Sequence, residues 1–379
     1  SLILSAVQLA SAQDQKVSLA GLAYSGDFQS IDSRFPYSVL WNQQKLQNGP
    51  SSLATITGFL KQNPPKNFQI STAALDSLKG SDQVLASALI INSETISVEE
   101  FGSLIKLFVL IRGQSVFFDF KTMTMIRSYP ISFALIDALD HAPSKEEIVE
   151  RVGRVYEGTA NSPGIYKRYA DSLASASIPN AVPRFLQVSE AQLSAEMMAA
   201  LPDYLKKSPV VAQTWAADLV AEAISTQLQV PIIPYAKGYA VGNVMSMKVA
   251  DGTVFALKLP QPDYQIKLQL TGVKKVKYGE STSGASYIFG TYSKILIEEP
   301  LSGSRYLDTQ LKNGEVKLVP ASQTYVDDFP AYYDSLNGMF KKLAQAVSSG
   351  DTEWAKAAAS SPEIDLQLKK TRELIQLCK

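Results

Sequence analysis

From Leu104 to Phe133 apolar residues crowd together in short alternating runs, LIKLFVLIRGQSVFFDFKTMTMIRSYPISF. β-branched and aromatic residues in such runs suit a half-buried pleated surface. The pattern predicts three short strands here. Leu107, Val109 and Ile111 alternate with Phe108, Leu110 and Arg112 in the first, Val116 to Phe120 forms the second, and Met125 to Phe133 the third. Arg112-Gly113-Gln114 and Lys121-Thr122-Met123-Thr124 read as the turns between them. A similar design returns between Tyr264 and Thr309. There Tyr264, Ile266, Leu268 and Leu270 alternate with Gln265, Lys267 and Gln269, the signature of a half-exposed antiparallel strand. Gly279 to Gly284 reads as its hairpin loop, Tyr287 to Glu298 as the return, Leu301-Ser302-Gly303 as a turn, and Arg305 to Thr309 as a short closing strand.

The remaining elements hang on these two sheets. Val17 to Tyr24 is a strand, Tyr37 to Gln47, Ser52 to Gln62 and Ser71 to Leu78 are helical, and Val84 to Asn92 is a buried strand that leads through an acidic loop into the central stretch. Ser144 with Glu147 three residues later forms a capping box for a helix that carries Ile148, Val152 and Val155 and ends near Gly158. Thr159 to Arg184, rich in Ala, Ser, Asn and Pro, reads as a linker that contains a short helix, Tyr166 to Ala174. Ser189 to Lys207 reads as a helix with Ser189 and Gln192 as a second capping box. Ser208-Pro209 opens the next helix, on which Trp215 is a core anchor. Val230 to Tyr235 begins the second sheet, followed by a hairpin turning at Asp251-Gly252. Asp327 to Val347 is a long helix, and Thr352 to Leu377 two helical segments split at Ser360-Ser361-Pro362.

Together these elements define an α+β protein. The expected architecture is two α/β sandwich-like domains, each a mainly antiparallel sheet packed by helices, joined by a helical linker and followed by C-terminal helices. The expected divisions are 1–12, a remnant of a secretory signal; 13–158, the first α+β domain; 159–207, linker and helix; 208–349, the second α+β domain; and 350–379, a C-terminal helical segment. VFFDFKTMTMIRSYPIS in the first half and ILIEEPLSGSRYLDTQL in the second share a strand, an acidic residue, a short turn and a returning strand. A structural duplication is therefore an expectation, against the alternative of two unrelated domains.

Composition changes this picture in a few places. Of 379 residues, 36 are basic and 36 acidic, a balance that argues against a nucleic-acid or anionic-membrane surface. Cys378 is the single cysteine, so the chain forms no internal disulfide and no thiolate metal site. Leu2 to Leu9 is a short apolar run, and Ala10-Ser11-Ala12 fits a signal cleavage before Gln13. No cysteine follows Ala12, so a lipoprotein anchor is not supported. No later stretch reaches the roughly 18 uncharged apolar residues of a membrane helix. The expectation is an exported, periplasmic bacterial protein with no transmembrane segment.

Phe118-Asp119-Phe120-Lys121-Thr122 and Ile126 resemble a recurring bacterial envelope module, that of the curli-secretion (CsgG-like) family and the N-terminal domain of TolB. In those proteins a strand of the form v-D-x-k-T-G-x-v closes an α/β sheet; Met123 stands here where the family prefers glycine. The second half offers Glu298-Glu299-Pro300-Leu301-Ser302-Gly303 and Tyr306. The resemblance implies a periplasmic α+β scaffold near the outer membrane with no active site. It does not imply a pore.

The search for chemistry yields little. His141 is the only histidine, which removes His-rich metal sites and leaves one candidate for a hydrolase base. Gly279-Glu280-Ser281-Thr282-Ser283 departs from a nucleophile elbow, because its last position is Ser and its flanks are strands. There is no phosphate-binding glycine loop. Asp137 and Asp140 share a loop with His141 and form the one candidate acidic cluster, while Tyr287, Tyr292 and Tyr306, with Tyr332 and Tyr333, suit either a carbohydrate face or a sheet–helix core. The reading is a non-catalytic envelope protein, without metal or cofactor, that binds a protein partner or assembles with itself. The alternative is a small-molecule or polysaccharide binder in the cleft between the halves.

Overall fold

The computed structural model describes residues 15–26, 28–72, 84–179, 182–249, 252–323 and 326–379. The expected signal remnant and the helix at Ser71 to Leu78 lie largely outside them. In the first half, β1 (Lys16–Ser25) leads into α1 (Ile31–Arg34), α2 (Pro36–Asn48), α3 (Ser52–Gln62) and the short β2 (Gln69–Ser71). The meander β3 (Leu85–Phe101), β4 (Leu104–Asp119) and β5 (Thr124–Leu139) follows, then α4 (Lys145–Glu157), the small β6–β7 hairpin (Gly158–Thr159 and Ser162–Pro163) and α5 (Ile165–Ser175). The second half runs β8 (Leu186–Leu193), α6 (Ala195–Ala200), α7 (Asp203–Lys206), α8 (Pro209–Leu228) and α9 (Ala236–Tyr239). The hairpin β9 (Val244–Val249) and β10 (Val254–Lys258) precedes the meander β11 (Tyr264–Ser281), β12 (Gly284–Glu299) and β13 (Ser304–Pro320), and α10 (Phe329–Ser349), α11 (Glu353–Ala358) and α12 (Ile364–Cys378) close the chain. The fold is α+β, with sheets packed by helices.

Several predicted elements are corrected. Arg112-Gly113-Gln114 is not a turn but the middle of the 16-residue β4. Gly113 is needed because the strands press together there, and a Cβ would sit 2.8 Å from the Ile90 carbonyl oxygen. A strand glycine can thus mark close backbone approach rather than a break. The acidic segment after Asn92 is strand, since β3 runs on to Phe101. The closing strand of the second meander is 17 residues long, with Asn313-Gly314 in its interior. Ser189 and Gln192 cap nothing: they lie in β8, and Ser194 is the true cap, its hydroxyl accepting from Met197 N–H. Parallel pairing of β8 with β11 wins over a helical pattern there. The stretch read as a linker contains the buried helix α5, whose Tyr166 and Tyr169 are core residues. The capping box at Ser144 and Glu147 and the proline-initiated helix with buried Trp215 form as predicted.

The largest correction concerns the β9–β10 hairpin, expected in the second sheet. It joins the first, whose order is β2-β1-β3-β4-β5-β10-β9, and a further β1–β9 pairing closes six strands into a ring. Closure buries a core of small and flexible side chains, among them Ala86, Ala88, Phe118, Met245 and Met247. Val230 to Tyr235 is not a strand; it is tied to the sheets by Ile232 N–H to the Ser128 carbonyl, by a bridge between Ile233 and Gln187, and by the Gln187 side-chain amide donating to the Pro234 carbonyl. The opposite face of the first sheet packs on α3, α4 and α5 through Leu89, Ile91, Val109, Ile111 and Phe117.

The two halves repeat one design. In each, a first strand pairs in parallel with the leading strand of an antiparallel meander, giving the orders β1-β3-β4-β5 and β8-β11-β12-β13. An offset of 180 residues carries Leu104 to Gly284 and Asp119 to Glu299, which bound β4 and β12. The irregularities coincide as well. Ile126 is the extra residue between the pairs Phe117–Arg127 and Phe118–Met125; Tyr306 is extra between Ile297–Leu307 and Glu298–Arg305. Asn92 bulges opposite Gly113 and Arg112, and Thr271 opposite Ser293 and Tyr292. Ala20 of β1 and Ser189 of β8 bulge after the third parallel pair. Bulges set local bend and twist, so their coincidence marks equivalent backbones. In this register Asp119 matches Glu299, one residue later than the motif comparison suggested, and Arg112 matches Tyr292.

Candidate docking face of the second sheet

Equivalent positions on the two sheets have opposite surroundings. On β4, alternate residues Lys106, Phe108 and Arg112 point away from α4 and α5 toward the second half. Phe108 stacks on Tyr204 of α7 at 5.3 Å between centroids, and Lys106 bonds Asp327 at 2.6 Å. Arg112 is buried beside α8, with Nη1 3.5 Å from Glu222 Oε2. Ser132, its neighbour on β5, donates to both Glu222 oxygens at 2.7 Å. Asp218, one turn earlier on α8, is buried too and accepts from the Tyr239 hydroxyl. Burial pushes the Asp218 carboxyl up to about 6, against the opposing pull of Arg112 and of the Tyr239 hydrogen bond. Burial also disfavours the Arg112 charge, but Asp218 and Glu222 hold it above its ordinary value. α8 is apolar on nearly every side because it lies between both sheets, as all-round hydrophobic helices do.

The same face of the second meander is exposed. Its registered rows are Gly272–Tyr292–Lys312, Lys274–Gly290–Gly314 and Val276–Ile288–Val316. Tyr292 is 39 % exposed and Val316 and Leu318 are each 57 % exposed. The other face carries Phe289, Ile295, Ile297, Leu307 and Leu311 and packs on α8, α10 and α12. A groove of about 650 Å³ runs over the Tyr292 row, bordered by Glu196 of α6 and by Ala358 to Ser360 after α11. Gly290 and Gly314 are directly paired. A Cβ at Gly290 would meet nothing closer than 3.6 Å, so no internal contact demands glycine there. Among the described residues Lys274 and Lys312 have no ion pair, so the groove holds an exposed phenol and two unpaired ammonium groups, with the Gly290–Gly314 pair beside it.

Of the predicted site residues only Asp140 and His141 are brought together. His141 is exposed, with Nδ1 2.7 Å from Asp140 and Nε2 2.9 Å from Glu147, the capping carboxylate of α4. Those two carboxylates raise its pKa. Asp137 turns instead to Arg151, at 3.0 Å, and borders a separate hollow of about 580 Å³ with Lys106 and Asp327. Asp140 and His141 thus stay paired while Asp137 is drawn away, and no metal-holding group of three such side chains occurs among the described residues. Tyr287 lies beneath Lys275, whose Nζ is 4.6 Å from the ring centre, and Tyr306 packs edge-on against Tyr264. Of the three tyrosines only Tyr292 lines the groove. Tyr332 packs edge-on to Phe289 in the helical layer. Cys378 is buried, and burial pushes its thiol up to about 12. Sequence reasoning missed Arg112, read as a turn residue, and the strand glycines 290 and 314; the signal available was glycine inside an otherwise regular apolar run.

No family model and no curated protein matches the chain. Among solved structures, it is similar to a minor lipoprotein from Acinetobacter baumannii, with 11 % identity over 48 % of this chain and 98 % of that one, at a TM-score of 0.22. It is also similar to a neuraminyllactose-binding hemagglutinin homolog from Helicobacter pylori, with 12 % identity over 45 % of this chain and 97 % of that one, at a TM-score of 0.20. Neither bears a curli-secretion or TolB description, and no functional reading rests on overlaps this weak. The FDFKT motif is nonetheless a turn signature: Asp119 Oδ1 accepts from Lys121 and Thr122 N–H at 2.8 and 2.9 Å, and Met123 adopts the positive φ of the family's glycine. Among the described residues no helix is long and apolar enough to cross a membrane.

Proposed function

We propose that this is a non-catalytic, exported envelope protein that works in protein–protein assembly, with the second sheet's open face as its contact surface. One observation carries the reading: two equivalent sheet faces exist, one covered by helices of the following half and one bare. An exposed strip of Val276, Tyr278, Val316 and Leu318 on a regular sheet is the kind of apolar surface that marks an interaction site. The first half then acts as a rigid base, locked to the second by α8 and the β9–β10 hairpin. The alternative, a polysaccharide binder in the cleft between the halves, is less well supported. α8 and the Arg112 network occupy the middle of that junction and leave hollows of about 260 and 580 Å³ at its edges, and the expected tyrosines do not form one aromatic face.

A photo-crosslinking residue in place of Val316, in the cell that makes the protein, tests the reading. A discrete protein adduct, absent when the same residue replaces Lys145 on the exposed start of α4, is the expected result. No adduct, or equal adducts from both positions, would sink it. Light scattering of the purified chain then tells whether the adduct is self-association or another protein.

A further inference from the structure

We infer that the open face of the second sheet receives an amphipathic α-helix whose buried side carries two acidic residues four positions apart. The inference rests on the assembly reading above and names the partner's chemistry. The pattern is drawn from within the molecule. On the first sheet, the row through Arg112 and Ser132 receives α8, which presents Asp218 and Glu222, one helical turn apart. In the repeat, Tyr292 replaces Arg112 and Lys312 replaces Ser132, so the positive charge has moved one strand over but remains in the same row. Lys274 adds a second ammonium group one row along. Neither lysine has an ion pair among the described residues, whereas Lys106 and Arg112 on the first sheet are both paired. The one carboxylate at the groove's border, Glu196, lies over Gly272 at the far side from Lys312.

Glycine supplies the second, independent argument. Glycine in a strand interior weakens the strand and often marks a place where another backbone approaches closely. Gly290 has room for a side chain and takes none, while the space over the directly paired Gly314 is partly taken by Ile288, whose Cγ2 lies 3.2 Å from where a Cβ would sit. The equivalent positions of the first sheet are Leu110 and Ala134, which are directly paired. A helix on the second sheet therefore meets no side chain from Gly290 or Gly314 themselves, where the first sheet has Leu110 and Ala134, and packs against the flanking Tyr292 and Ile288 side chains instead.

The probe is a fluorescein-labelled peptide of this chain's own residues 206–229, which spans α8 with both its acids, titrated with the full-length protein and read by anisotropy. Saturable binding is expected. It should weaken at least about tenfold in Gly290→Leu and in Lys312→Glu, and for a peptide carrying Glu222→Lys. Gly290→Ala, which fits without a clash, should show a smaller loss and an unfolding midpoint no lower than that of the unaltered protein, so that a folding defect is distinguishable from a blocked surface. No saturable binding, or binding indifferent to both Gly290→Leu and Lys312→Glu, overturns the inference. Peptide failure together with a crosslink at Val316 would reject the acidic helix while leaving the assembly reading standing; loss of the crosslink would reject both.

Discussion

Arg112 and Tyr292 occupy the same place in two copies of one backbone, yet the first is buried among two carboxylates and the second lies on open surface. Around Arg112 the sheet is covered by α7, α8 and the residues before α10; around Tyr292 it carries glycine, lysine and exposed valine. Equivalent strands, bulges and turns therefore do not define equivalent surfaces. What differs is the segment that follows each repeat. The first repeat is followed by a second that can cover it, and the described residues hold no third to cover the second.

The sharpest way to break this comparison is to exchange the weight of the two positions. Arg112→Ala leaves the buried Asp218 and the half-buried Glu222 without their cation and should cost about 3 kcal/mol in urea unfolding. Tyr292→Ala should stay within about 0.5 kcal/mol, as surface changes do. Equal costs would mean that the two faces are not covered and bare.

The next effect is pH dependence. The Asp218 pKa is raised in the fold to about 6 from an ordinary 3.8, so between those values the native state holds a proton that the unfolded chain has released. Its contribution is fully present below pH 4 and is lost as pH rises through 6, on the order of 2–3 kcal/mol. Asp218→Asn should remove that slope from a series of unfolding curves at pH 4 to 7. The second sheet has no counterpart of this group, and an unaltered slope would place the buried charge elsewhere.

Backbone positions separate the halves more finely. Gly113→Ala brings a Cβ against the Ile90 carbonyl and should destabilise by about 1–3 kcal/mol, the usual cost of overpacking. Gly290→Ala meets no such obstacle and should be neutral or stabilising by up to about 1 kcal/mol in thermal unfolding. The smallest change is at the turns. Met123 and Gly303 both have positive φ, 51° and 71°, at matched sites. Gly303→Ala should cost about 1 kcal/mol, while Met123→Gly should gain up to about as much, since only a residue with a Cβ is strained there.

Much of the fold was readable from local pattern. The meander turn at Lys121 to Thr124, the capping box at Ser144, the proline start of α8 and the alternation from Tyr264 to Leu270 each depend on contacts within a few residues. The errors share a cause. Arg112-Gly113-Gln114 looks like a turn because glycine permits one, but cross-strand contact, not local preference, decides whether a strand bends or continues. Ser189 looks like a cap until its neighbours Val188 and Glu190 pair in parallel with β11. The candidate site was less legible still. His141, Asp137 and Asp140 are close in sequence, but Arg151 draws Asp137 away while His141 stays between Asp140 and the cap of α4. Tyr292 was named, though with two tyrosines that pack elsewhere.

The sequence by itself determined the α+β class, the two meanders and most helix boundaries, because hydrophobic period, caps and tight turns act over short distances. Only the tertiary structure decided that the β9–β10 hairpin belongs to the first sheet, that α8 is shared by both, and that one of two equivalent faces stays open. Those outcomes depend on which apolar surfaces meet across long separations in the chain. The repeat itself became visible the same way, since bulges at matched places are set by strand pairing and leave almost no trace in residue identity.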